Sequence, residues 1–229
     1  MYENQARLST ALKQAHERTW ETIASPGAFF TARQRIEMVH TAREALDCEL
    51  CMSRKRALSP YKDNGEHQHA TELSTAVVEA VHRIRTDPGR LTQHWAQEII
   101  AAIGAAEYVE LVSVVTSSVI VDTLHNALGL GVPKLPLAKR GTPHQEVNSS
   151  AVDAGAWVPI LDAPVEMSDT GLPRVPNIAR SLGLVPSALD LFFSTFRPHY
   201  ALKDIDLSIS QGQAEFVAAR VSALNECFY

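Results

Sequence analysis

The chain has 229 residues, 45% of them hydrophobic and 21% charged, with a formal net charge of -5. That balance suits one large or two small globular domains with a real core, and the longest basic cluster, Arg54-Lys55-Arg56, leaves no footprint for nucleic acid or an anionic membrane. The polar start Met1-Tyr2-Glu3-Asn4-Gln5 lacks a signal-peptide core, and the most apolar run, Leu111 to Val121, is too short to span a bilayer, so a cytoplasmic protein is expected. In a reducing compartment a C-x-x-C is more often redox-active or metal-binding than a structural staple. Attention therefore falls on Cys48 and Cys51, with Cys227 as the third cysteine.

In chain order, the spacing of Leu8, Ala11, Leu12, Ala15, Trp20 and Ile23 predicts an amphipathic helix over 4–24, ending before Ser25-Pro26-Gly27. Thr31 with Gln34 three residues on has capping-box spacing and opens a helix through Ile36, Val39, Ala42 and Leu46. Asp47 is the expected N-cap of a further helix to Arg56, which would place Cys48 in its first turn. Asp63-Asn64-Gly65 marks a loop. Helices are expected over 71–86 and 91–103, closed by Asp87-Pro88-Gly89 and by Gly104. The run 105–128 has β-branched residues, but its length and Gly129 favour one long buried helix over a strand. Seven prolines between Pro133 and Pro176 make 132–175 an irregular connector, with Trp157 and Ile160 expected to dock on the core. Helical pattern resumes over 177–184, then behind Pro186, and finally behind Ser210 and Gln213, a second capping-box spacing.

Two thiols three positions apart can close a disulfide or hold one edge of a metal site. A thiol in a helix's first turn gains thiolate character from the local amides, which places Cys48 better than Cys51 for that, with Arg54 and Lys55 favouring the anion and Glu49 opposing it; the pattern leaves open which of the two attacks peroxide. Against this stands a reading of two inert core cysteines in a catalytically decayed helical scaffold that serves oligomerisation or ligand binding. Zinc is the alternative, with His67 and His69 completing four ligands, although H-x-H spacing is unusual for a zinc site. His40, His82 and His125 read as surface or core polar contacts, and Phe192, Phe193 and Phe196 as core or oligomer interface. Glu215 and Cys227 by themselves read as a solvent-facing Glu and a small buried Cys.

Thr31 and Ser210 each stand seventeen residues before a cysteine, Cys48 and Cys227, so two helix starts are in register. The capped helix, the C-x-x-C and the long segment Tyr108-Val109-Glu110-Leu111-Val112 to Asn126-Ala127-Leu128-Gly129 resemble the core of the alkyl hydroperoxidase D and carboxymuconolactone decarboxylase superfamily. Pro176-Asn177-Ile178-Ala179-Arg180 and residues 215–229 resemble the front half of its peroxidase-related members. The resemblance implies an all-α, AhpD-like helical bundle and homo-oligomeric assembly. It also implies disulfide chemistry without a bound cofactor, on a hydroperoxide or disulfide substrate with a thiol electron donor. It divides the chain into an N-terminal helix (1–30), a core with the C-x-x-C (31–132), the connector (133–175) and the start of a second half-site (176–229). Catalytic residues implied are Cys48, Cys51, Glu215 and Cys227. The family pattern departs at the first site, where Ile36 holds the Glu position, Glu37 is one step off and Lys55 stands where a His belongs. Some relatives resemble selenoproteins, so a selenocysteine codon read as a stop after Tyr229 is a further expectation, with a His codon four places beyond it.

Overall fold

In a computed structural model, residues 1–2, 5, 8–162, 175–200 and 208–224 are described. The chain is all-α. Among the described residues it forms α1 (Thr10–Ile23), α2 (Ala32–Glu44), α3 (Glu49–Arg56), α4 (Thr75–Thr86), α5 (Gln93–Ile103), α6 (Ala105–Ala127), α7 (Asn177–Leu182), α8 (Pro186–Phe196) and α9 (Gln211–Leu224). The sequence reading missed a pair of two-residue antiparallel strands in the connector, β1 (Ala151–Val152) and β2 (Ile160–Leu161), and two short 3-10 turns, Pro60–Lys62 and Pro88–Arg90.

Hydroxyl caps set the helix starts. Thr31 and Gln34 form the expected capping box, with each side chain satisfying the other residue's backbone amide. Ser9, Ser74 and Thr92 accept from the amides three residues on, so α1, α4 and α5 begin later than periodicity alone predicts. Ser210 and Gln213 form the second capping box, at α9. Gly104, at φ +99°, turns the chain by 109° between α5 and α6, a backbone conformation that only glycine adopts without strain.

The long helix α6 is the axis of the core. It packs against α1, α2, α4, α5, α7 and α8, and Leu111, Val114, Val115 and Val121 are fully buried. A helix covered on most sides shows little amphipathic contrast, which is why its run of Val and Ile could pass for a strand. No single helix among the described residues is long and apolar enough to cross a membrane.

Two groups of buried polar contacts fix the helices around this axis. Glu110, on α6, accepts from the Phe29 amide at 2.6 Å and faces Arg35 of α2, whose Nε lies 3.4 Å from Oε1. Arg35 Nη1 donates to the Thr22 and Ser25 carbonyls, so one ion pair ties the α1–α2 turn to the core. Gly27 permits the approach: a Cβ there would meet Glu110 Oε1 at 1.8 Å. Between α1 and α8, Thr19 and Thr195 share a hydrogen bond at 2.7 Å, and His16 bridges the Tyr2 hydroxyl and His199. Burial, with His199 and His125 adding to it, lowers the His16 pKa to about 3, so this chain of rings is neutral.

The connector docks in part. Lys139, His144 and Gln145 donate to the carbonyls of Ala24, Gly27 and Ala28. Val158 and Ile160 are buried as anchors, whereas Trp157, expected to dock, remains 40% exposed.

Candidate functional site

After α2 the chain makes a turn in which the Leu46 amide donates to the Arg43 carbonyl and the Asp47 amide to the Glu44 carbonyl. That turn absorbs Asp47, so the N-cap of α3 is Cys48 itself, a correction to the expected Asp47 cap. Cys48 is therefore at the helix mouth and Cys51 one turn in. They are 1% and 3% exposed and both are free thiols.

The segment after α3 folds back over them. Arg90 donates to the Ala57 and Arg54 carbonyls at the end of α3, and Tyr61 donates to the Arg90 carbonyl. Ser53 then hydrogen-bonds the Asp63 carboxylate, Arg54 Nε donates to the Asp63 carbonyl, and Gly65 lies against Leu50. This course carries His67 onto the dithiol. Its Nδ1 is 3.6 Å from each sulfur, and its Nε2 is 2.6 Å from Glu79 of α4. Glu79 in turn accepts from Arg54 at 2.9 Å and from Trp95 Nε1 at 3.2 Å. His82, one turn beyond Glu79 and fully buried, places Nδ1 3.3 Å from Cys51 Sγ. The two imidazole rings are 4.1 Å apart, and His82 Nε2 has no partner among the described residues.

Charge follows from this arrangement. Burial pushes the Cys48 thiol up, but the Cys51 amide, His67 and the Gln68 amide outweigh it and hold the pKa at about 7. Burial likewise disfavours protonated His67, yet its bonds to Cys51, Glu79 and Cys48 raise it to about 10. Glu79, opposed by burial but bonded to His67 and Arg54, falls to about 2. Near neutral pH, metal-free protein thus carries a His67 imidazolium bonded to a Glu79 carboxylate, beside a Cys48 thiol that is partly ionised.

Other sequence expectations land elsewhere. Lys55 is exposed, and Arg54 serves Glu79 rather than a sulfur. His69, expected beside His67 in a zinc site, faces the Thr71 carbonyl, and His82 takes the fourth place. Glu215 on α9 accepts from Tyr200 at 2.5 Å and from Gln211 at 2.6 Å, and among the described residues it is bonded to none of the dithiol cluster. Cys227 lies outside the described residues. His40 pairs with Glu44, and His125 with the Gly131 carbonyl.

Sequence reasoning missed Glu79, His82 and the closure by His67. His82 carried a signal, because it continues the buried stripe of Val77, Val78 and Val81 on α4. No family model matches the chain, and neither the curated proteins nor the solved structures contain a match.

Proposed function

We propose that the protein is a cysteine-based thiol–disulfide oxidoreductase that reduces hydroperoxides, with chemistry of the alkyl hydroperoxidase D type. The observation that carries this reading is His67, placed 3.6 Å from both sulfurs and backed by Glu79. It supplies the proton relay that Lys55 cannot.

The Cys48 thiolate attacks the distal peroxide oxygen; the O–O bond breaks, the sulfur becomes a sulfenic acid, and His67 gives its proton to the departing alkoxide. Cys51 then displaces water from the sulfenic acid to close the disulfide, one turn away along the helix. Two electrons have passed from the dithiol to the peroxide. Two equivalents of a thiol donor reopen the bridge by exchange and leave as their own disulfide. Because both sulfurs lie under the segment that carries His67, substrate entry requires 63–74 to swing outward; this stretch contains no helix or strand.

Peroxide consumption with a thiol donor tests the reading. Turnover falls to background in Cys48→Ser and in Cys51→Ser; undiminished turnover in both variants removes the dithiol from the mechanism.

A further inference from the structure

We infer that the reduced dithiol is also half of a zinc site, completed by His67 and His82. One ligand atom from each of Cys48, Cys51, His67 and His82 lies within 4.8 Å of all the others. In a tetrahedral site with Zn–S of about 2.3 Å and Zn–N of about 2.0–2.1 Å, neighbouring sulfur and nitrogen ligands stand about 3.6 Å apart. Three of the four sulfur–nitrogen separations here are 3.6, 3.6 and 3.3 Å, and the fourth, Cys48 to His82, is within 4.8 Å. Both imidazoles turn Nδ1 toward the sulfurs, so three of the six edges are already close to the length the metal requires.

The surroundings favour the same ligand. Two thiolates and two imidazoles select a soft, tetrahedral cation over magnesium or calcium. Zinc with two thiolates is electrically neutral, which suits four side chains sealed from water, since an unbalanced charge there would be costly. Glu79 on His67 Nε2 is the outer carboxylate that orients a ligating histidine, and Arg54 and Trp95 hold that carboxylate. The surface cavities lined by Asp190 and Arg197, by Lys139 and His144, by Phe196 and His199, and by His125 and Lys134 include none of the four ligands. A site with four protein ligands and no open position is the structural type. Zinc there clamps α3 and the returning 63–74 segment to α4.

The inference does not depend on the redox reading, because it concerns the reduced dithiol alone. Peroxide links the two: the zinc-bound thiolates, one hydroperoxide and two protons give the disulfide, one alcohol, one water and free zinc.

The test uses the full chain without a tag, purified reduced and free of chelator, given zinc and desalted. Expected is about one zinc per chain in the wild type and in His69→Asn, falling to about a tenth or less in Cys48→Ser and His82→Asn. Cobalt(II) titration of the metal-free wild type needs no variant: the intense visible bands of tetrahedral, thiolate-bound cobalt support the site. Less than about a tenth of an equivalent of zinc in the wild type, or only the weak octahedral spectrum of aqueous cobalt, overturns it. One equivalent of hydrogen peroxide then separates the two readings. Zinc release with loss of two thiols supports both, retained zinc with intact thiols keeps the metal site and ends the redox reading, and disulfide formation in a chain that never held zinc does the reverse.

Discussion

Removing the His67 imidazole slows the reaction of Cys48 with hydroperoxide by about 100-fold or more, the usual contribution of a positioned general acid. The same substitution, His67→Ala, shifts the pH dependence of Cys48 alkylation in reduced, metal-free protein. In the wild type the rate rises through pH about 7, where the thiol ionises. Burial opposes that ionisation and the His67 bond is one of the contacts that overcome it, so without the imidazole the midpoint moves upward, toward the ordinary thiol value of 9.0. Glu79→Gln moves it part of the way, because it leaves the ring in place but removes the carboxylate that keeps it protonated. Stopped-flow peroxide kinetics and iodoacetamide profiles measure both effects. A variant with the wild-type rate and midpoint would show that His67 is only a cover.

The largest loss of stability belongs to a residue remote from the thiols. Glu110→Ala leaves the Arg35 guanidinium buried without its counter-ion and the Phe29 amide without its acceptor. Breaking a buried pair from one side costs about 3–5 kcal/mol. For a chain of this size that lowers Tm by roughly 10 °C. Replacing both partners, Arg35→Met with Glu110→Leu, recovers much of the loss, since the residual charge goes with the pair. Thermal unfolding followed by circular dichroism reads the effect; a Tm within about 2 °C of wild type for Glu110→Ala would mean that the pair contributes little.

These two sites differ in how far the sequence disclosed them. Local chemistry was legible: the Thr31–Gln34 and Ser210–Gln213 capping boxes, the break at Gly104, and the length of α6 all follow from interactions within a few residues. Asp47 misled because a good capping side chain cannot act once the preceding turn has taken its backbone. His67 was placed in a loop correctly, but a polar run such as Glu66-His67-Gln68-His69 has no periodicity to say which histidine turns inward. That choice is made by contacts with α3 and α4, with Gly65 against Leu50 and Glu79 waiting for Nε2. His82 reads from the sequence as a surface or core polar contact, yet a histidine on an apolar helical stripe needs a partner. Its partner, Cys51, is 31 residues away in sequence.

Both the redox and the metal readings require the two sulfurs to be joined or held as a unit, and trypsin makes this measurable. Cleavage after Arg43 and Arg54 releases residues 44–54, a single peptide that contains both cysteines. Native protein is stripped of metal, treated with one equivalent of hydroperoxide, alkylated, digested and weighed. Expected is a peptide two hydrogens lighter that carries no alkyl group, formed with the loss of one peroxide per chain. A doubly alkylated peptide from peroxide-treated protein would contradict a cycling dithiol at Cys48 and Cys51.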